Sequence, residues 1–451
     1  MAMSETGKAA QDEMLLSVRG KQTADYKDFL FIYKQRASVD PYDAVQNPHG
    51  IINMGTAQNH LMAEELTQQL NKSNAFTFSK KYQQYYDFAG VPELKEAIAN
   101  FLTRHLNPYK ELLPEHIVVM PGATSCIDAL AHSLCDRGDV IITPTPSYGC
   151  IFRDVNDHAG VTIEPLNLVQ GRDTKTSFML KAEALRSCIQ SLKASGRRVR
   201  AFILLHPHNP LGDVYTPELL CGLMDVCARE KVHFISDEVY ALSVFDEGPK
   251  FHSVLSLEAP DPERTHVIWS FSKDFNLAGL RVGVIVNVSP QVMSCLRAVA
   301  EYKCVPHIVQ HAATTILNDA EWCDKFYLPT NQARLAKAYK ETCKRLEIMG
   351  AHVRKARAGF FVWFSVQPFM KENTEEEEMA LQEEIMDAGL YIAPGTKFYC
   401  ISPGWMRLVF TVPKHELNEG LRRLEGVLRR RQAMLKILNI STHAVSLLNK
   451  K

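Results

Sequence analysis

The stretch Thr265-His266-Val267-Ile268-Trp269-Ser270-Phe271-Ser272-Lys273-Asp274-Phe275-Asn276-Leu277-Ala278-Gly279-Leu280-Arg281-Val282-Gly283 runs from a strand-like apolar segment into a lysine. A hydroxyl stands three residues before that lysine and an arginine eight after it. Such a segment can present one amine to an aldehyde while Ser270 and Arg281 hold a phosphate dianion. Arginine suits that task because its planar guanidinium gives two parallel charge-assisted hydrogen bonds to phosphate oxygens. The lysine suits the other because a desolvated amine beside further positive charge has a lowered pKa and is nucleophilic near neutral pH.

From Glu115 onward, apolar runs of strand length alternate with helical stretches. The runs are Ile117 to Met120, Val140 to Thr143, Ala201 to Leu205, Val232 to Ser236, Val267 to Trp269 and Val282 to Val286; Cys126 to Cys135 and Pro217 to Arg229 are helical. Continuous rather than alternating apolar strands, each followed by a helix, predict an α/β core with a mostly parallel sheet covered on both faces. Past about residue 315 the character changes to long amphipathic helices (Ala333 to Met349, Glu375 to Ala388, Lys414 to Arg431), with strand-like Gly359 to Val366 and Trp405 to Val412 between them. This reads as a smaller α/β domain.

Chain length fits two or three domains at about 100 to 200 residues each. The expected division is a loose N-terminal tail (1–25), a segment packing with the small domain (26–60), a large domain (61–315), a small C-terminal domain (316–432) and a C-terminal tail (433–451). Glu375 to Glu378 follow Thr374, the pattern of a capped helix start with acidic residues at the positive end of the dipole. Arg429 to Arg431 suit the negative end of the last helix.

The 51 basic and 51 acidic residues cancel, which gives no electrostatic case for a nucleic-acid or membrane-surface partner and favours a small-molecule substrate. Eleven cysteines without a Cys-x-x-Cys pair fit reduced thiols, with no metal site expected. Neither a signal-like N-terminus nor a run of about 18 apolar residues is present, so the reading is cytoplasmic with no membrane segment.

Five further segments give Lys273 its context. Met120-Pro121-Gly122-Ala123-Thr124-Ser125 is either an ordinary turn or a helix start whose N–H groups cradle phosphate. Tyr148, after the next strand, is either core or a platform for a flat ring. In His206-Pro207-His208-Asn209-Pro210 the Asn-Pro pair is a turn signal, and Asn209 can donate to a phenolate oxygen; the two histidines read as turn residues. Asp237 closes an apolar strand just before Tyr240, and serves either as a helix cap or as the partner of a protonated ring nitrogen. Arg407, alone in Gly404-Trp405-Met406-Arg407-Leu408-Val409-Phe410, fits a carboxylate ligand or a structural salt bridge. In open parallel sheets ligands collect outside the carboxyl ends of the strands, which is where Gly122, Tyr148, Asn209, Asp237 and Ser270 fall.

From about Tyr26 to Arg431 the chain resembles the pyridoxal-phosphate (PLP) enzymes of fold type I, the aspartate aminotransferase class, and within them the 1-aminocyclopropane-1-carboxylate (ACC) synthase-like branch. The closer likeness rests on Gly50-Ile51-Ile52-Asn53-Met54-Gly55-Thr56-Ala57-Gln58-Asn59, Asn209-Pro210-Leu211-Gly212-Asp213-Val214-Tyr215 and Pro403-Gly404-Trp405-Met406-Arg407. The second of these, with Ser272-Lys273-Asp274-Phe275, is similar to the animal ACC synthase-like proteins more than to the plant enzymes.

The resemblance implies an aspartate aminotransferase-like fold and a homodimer with shared active sites. It implies PLP bound covalently to Lys273, which would also act as the catalytic base. Asp237 would pair with the ring nitrogen, Asn209 and Tyr240 would contact the ring oxygen, and Tyr148 would stack. Ser270, Ser272, Arg281 and the backbone of Ala123 and Thr124 would hold the phosphate, and Arg407 would grip the carboxylate of an amino-acid substrate. Two departures stand out. Gln58 lies in the substrate-binding segment where the plant synthases have glutamate. Phe88 stands where they have a tyrosine that reaches across the dimer, with Tyr85 and Tyr86 the nearby phenols. Amino-group transfer therefore ranks first, ahead of α,γ-elimination on S-adenosylmethionine and of PLP binding with little turnover.

Overall fold

The computed structural model describes residues 15–26, 29–169, 171, 177–246, 248 and 250–448. The large sheet has seven strands: β1 (Ile117–Met120), β2 (Val140–Thr145), β3 (Thr162–Asn167), β4 (Val199–Leu205), β5 (His233–Asp237), β6 (Thr265–Ser270) and β7 (Gly283–Val286). Their spatial order is β1-β7-β6-β5-β4-β2-β3. Pairing is parallel from β6 across to β3, while β7 runs antiparallel to both of its neighbours. Two antiparallel steps restore direction, so the carboxyl end of β1 lies on the same edge as those of β2, β4, β5 and β6.

The apolar runs are continuous because both faces of the sheet are covered. In β1, Ile117 and Val119 join one core cluster and Val118 and Met120 the other; in β6, Val267 and Trp269 are separated in the same way from Ile268. Successive strand side chains point to opposite faces, so a strand roofed on both sides needs apolar residues throughout. Helices Pro92–Leu106 and Pro217–Glu230 supply the first roof, and Ala123–Leu134 the second. Strand β3 escaped the sequence reading because it is an edge: Thr162 and Asn167 are exposed and Pro165 sits within it, a residue tolerated where one side of the ladder is open.

The smaller domain has an antiparallel sheet of β8 (His352–Arg354), β9 (Phe361–Ser365), β10 (Ala393–Pro394) and β11 (Trp405–Val409), in the order β10-β11-β9-β8. Helices Leu328–Met349, Glu375–Asp387 and Lys414–Leu448 accompany it. The N-terminal segment is tied to this region by a short parallel pairing of Ile52–Asn53 with Leu390–Tyr391. No helix among the described residues is long and apolar enough to cross a membrane.

Several local expectations change. The described part of residues 1–25 includes a helix, Val18–Asp25, with no buried residue, and the last helix continues past Arg431 to Leu448. Arg431 therefore does not sit at a helix terminus; its side chain is almost fully buried between Glu384 and Glu377. Thr374 caps its helix as expected, accepting from the Glu377 N–H at 3.2 Å. Glu378 does more than complement the dipole. It is fully buried and accepts from the backbone N–H groups of Thr396 (2.9 Å) and Gly404 (2.6 Å), anchoring the approach to β11.

Candidate functional site

The shared carboxyl edge of the sheet, β11 and the N-terminal segment enclose a cavity of about 450 Å³. Every residue to which the resemblance gives a contact with cofactor or substrate lines it, and Gln58 does so too. At one end, helix Ala123–Leu134 begins behind Gly122, which offers no side chain to cap the first N–H groups. Gly122 has φ +84°, and a Cβ there would lie 2.3 Å from the Arg281 guanidinium. Glycine is required on both counts, since the backbone is left-handed and the arginine packs directly on it. Arg281 donates to the carbonyls of Ala278 (2.9 Å) and Pro121 (3.2 Å) and has no carboxylate partner among the described residues. The hydroxyl of Ser270, fully buried, accepts from Ser272 N–H at 3.0 Å and lies 2.9 Å from the Ser272 hydroxyl. An uncapped helix start beside a guanidinium with no carboxylate partner among the described residues can receive an anion.

In the middle, Asp237 ends β5 beside Leu205 of β4 and Ile268 of β6. It is 5% exposed, and its one hydrogen bond is a 3.3 Å contact from the Val239 N–H, so burial pushes its pKa up to about 7. The charge of Lys273 offsets this only in part, and Asp237 has no salt-bridge partner among the described residues. Tyr240 is buried, and Tyr148 is half-buried with its phenol bonded to Thr124 and Cys150. Behind Tyr148 stands Asp154, whose pKa is raised to about 7 by burial and by the charge of Asp237. His206 and His208, expected as turn residues, are fully buried beneath this floor, the His206 ring 2.9 Å from the His252 carbonyl.

Lys273 projects into the cavity and donates to the Ala57 carbonyl at 2.7 Å. Its pKa is lowered to about 8, first by desolvation and then by the positive charge of Arg407; Arg281 and Lys34 add to the effect and Asp237 opposes it. The neighbouring Asp274 fixes the segment. Fully buried, it accepts from Trp269 Nε1 (2.9 Å), the Ser243 hydroxyl (2.7 Å) and the Leu242 N–H (3.2 Å). Replacing Asp274 by alanine strands three buried donors, each costing about 1 kcal/mol or more. The expected result is a lower denaturant midpoint at unchanged slope, corresponding to a loss of about 3 kcal/mol.

Opposite Lys273, Arg407 of β11 is 5% exposed. It donates to the side-chain oxygen of Asn209 at 3.0 Å and to the Gly55 carbonyl at 2.5 Å, and its Nε is buried without a partner. The structural salt bridge is absent among the described residues, because both acceptors are neutral. Since its oxygen faces Arg407, Asn209 keeps its NH₂ for another acceptor. Gln58 is exposed at the cavity mouth. Phe88, Tyr85 and Tyr86 do not line the cavity of their own chain; Tyr86 donates to the Val305 carbonyl at 2.7 Å, and Tyr85 is 92% exposed.

The sequence reading missed Leu30, Phe31 and Lys34 from helix Phe29–Val39, together with Cys150, Tyr391 and Phe398. Helix Phe29–Val39 gave no signal because its apolar residues, Phe29 to Tyr33, are consecutive rather than spaced along one face.

A family model described as aminotransferase class I and II matches residues 49–424. Mouse 1-aminocyclopropane-1-carboxylate synthase-like protein 1 is 36% identical over 94% of this chain and 85% of its own length. The human protein named "probable inactive 1-aminocyclopropane-1-carboxylate synthase-like protein 2" is 34% identical over 93% and 74%. Among solved structures, an aspartate aminotransferase mutant from Thermus thermophilus aligns with a TM-score of 0.76 at 20% identity, over 92% of this chain and all of that one. The aromatic aminotransferase of Pyrococcus horikoshii gives 0.73 at 22%, over 89% and 99%. At these identities the structures speak to the fold, which is that of aspartate aminotransferase.

Proposed function

Because the chain belongs to the aminotransferase class I and II family, we propose that its cavity holds PLP and that the protein transfers the amino group of an α-amino acid. The residues fit that cofactor at three points: an anion site at Gly122, Thr124 and Arg281 for its phosphate, a buried carboxylate without a salt-bridge partner among the described residues at Asp237 for its ring nitrogen, and the amine of Lys273 for its aldehyde. Tyr148 would face its ring, and Asn209 and Tyr240 its ring oxygen. PLP, when bound, supplies an aldehyde that condenses with amines and a protonated ring that accepts the electron pair left by a departing α-proton.

The chain's own residues supply the rest. Arg407 binds the α-carboxylate, exchanging the neutral acceptors Asn209 and Gly55 for a charged one. That would place Cα near Lys273, whose neutral amine would accept the α-proton and return it to the carbon on the far side of the substrate nitrogen. Walls built by Leu205, Val239 and Tyr240 keep water from the proton in transit. The observation that carries this reading is Arg407, a buried guanidinium with no carboxylate of its own beside a lysine whose pKa is lowered to about 8.

The names of the relatives motivate two other readings, α,γ-elimination on S-adenosylmethionine and cofactor binding with little turnover. One experiment separates the three. Purified protein loaded with PLP is mixed with S-adenosylmethionine and with a panel of amino acids. The expected outcome is conversion of the cofactor absorbance to that of the amine form with at least one amino acid. Release of methylthioadenosine would instead establish the elimination, and a wild type as inert as Lys273→Ala with every compound would establish the binding protein.

A further inference from the structure

Arg407 is almost fully buried, and the two groups that accept hydrogen bonds from it, the Asn209 side chain and the Gly55 carbonyl, are neutral. Desolvation accordingly lowers its pKa from the usual arginine value. What faces the guanidinium is aromatic. Its central carbon lies 4.6 Å from the centroid of the Phe398 ring and 5.4 Å from that of Phe361. The face of a phenyl ring carries partial negative charge and attracts a cation at these distances, more strongly away from water. It does so without accepting a hydrogen bond, so no N–H of Arg407 is consumed, and Nε is buried without a partner.

Of the two rings, Phe398 is the one a ligand meets, because it lines the cavity and Phe361 does not. Its own place is fixed. Phe398 is fully buried at the end of the turn Gly395–Phe398, and Trp363, the cross-strand partner of Arg407 on β9, packs against it edge to face at 5.7 Å. The Phe398 carbonyl accepts from the Ser147 N–H at 2.8 Å, and a Cβ on Gly149 would lie 2.4 Å from the adjoining Lys397 carbonyl. The loop bearing Tyr148 therefore closes directly on this turn. A ring held from both domains can in turn hold the guanidinium that faces it.

We propose that Phe398 is a positioning residue for substrate binding, whose ring orients the Arg407 guanidinium and leaves its N–H groups free for a carboxylate. The proposal rests on the reading of Arg407 as the carboxylate-binding residue. A guanidinium ordered in advance does not lose its rotamer freedom when the ligand arrives, which is a gain of about fivefold in affinity.

The test compares butyrate with its neutral counterpart butyramide, titrated calorimetrically into the full PLP-free chain, so that the ratio of affinities isolates the contact of a carboxylate with Arg407. Wild type is expected to prefer butyrate, and Arg407→Gln to lose the preference. In Phe398→Leu, which keeps an apolar side chain and removes the ring, the preference falls about fivefold. In Phe398→Tyr, which restores a ring face, it returns. Should Phe398→Leu not fold, Phe398→Met, also apolar and without a ring, takes its place with the same expected fall. No butyrate preference in the wild type, an undiminished preference in the ring-free variant, or a loss as large in Phe398→Tyr would each overturn the proposal. Failure of the amino-transfer reading looks different: no amino acid converts the cofactor absorbance, while the butyrate preference of the PLP-free protein and its dependence on the ring persist.

Discussion

Lys273→Ala is expected to lose the visible absorbance of protein-bound PLP, with kcat for amino transfer falling by about 10³-fold or more, since in the proposed function the residue is both the covalent anchor and the proton carrier. The pH dependence of the wild type gives an independent check. With its pKa lowered to about 8, the Lys273 amine is about one-tenth neutral at pH 7 and mostly neutral at pH 9. The rate of covalent PLP capture, followed by stopped-flow absorbance, should rise about tenfold over that interval and then level off, where an ordinary lysine would keep rising past pH 10. Stability moves oppositely to function. A lysine whose folded pKa lies below its unfolded value of 10.5 is a liability at neutral pH, relieved only as pH climbs from about 8 toward 10.5. Lys273→Ala should therefore unfold at a higher temperature than the PLP-free wild type at pH 7.

Asp237→Asn is expected to show the same opposition. With the cofactor in place, removing the charge opposite its ring nitrogen would break a buried pair, a loss of about 3–5 kcal/mol, or about 10² to 10⁴-fold in kcat/KM. Without the cofactor the carboxylate has no salt-bridge partner among the described residues, and the charge of Lys273 only partly offsets its burial. Its folded pKa of about 7 exceeds the unfolded 3.8, so the stability it contributes in acid is lost as pH rises from about 4 through 7. At pH 8 the PLP-free Asn variant should be more stable than the PLP-free wild type by about 2–4 kcal/mol, measured by urea unfolding. A variant less stable than wild type under those conditions would mean that Asp237 already has a positive partner, and the place assigned to the ring nitrogen would be wrong.

The large sheet was legible because its strands are roofed on both faces and so read as unbroken apolar runs. The candidate site was legible because polar side chains that line the cavity follow the carboxyl ends of those runs within a few residues, as Asp237 follows Ile235 and Lys273 follows Trp269. Edge strand β3 was lost since its two ends are exposed, most of its length is only half-buried and a proline interrupts it. Glu378 hid among four consecutive glutamates, where composition cannot say which one the fold turns inward. Asp274 hid beside the lysine that drew attention, its work visible only once Leu242 and Ser243 are brought to it from a remote loop. Lys34 could not be found at all from sequence. A charged residue on a short helix far upstream carries no mark of the cavity it will face, because that meeting depends on the pairing of Ile52–Asn53 with Leu390–Tyr391 and on everything between.

The two cations that would greet the substrate are both fastened to one piece of backbone, Arg407 to the carbonyl of Gly55 and Lys273 to that of Ala57. These carbonyls hold each positive group in place and give it an acceptor. In the proposed function an anion and an aldehyde would displace them, and a short stretch of main chain would have to find water or new donors. A ligand that engages one of the two cations would free one carbonyl and a ligand that engages both would free two, so each binding free energy would be reduced by the acceptors it strands.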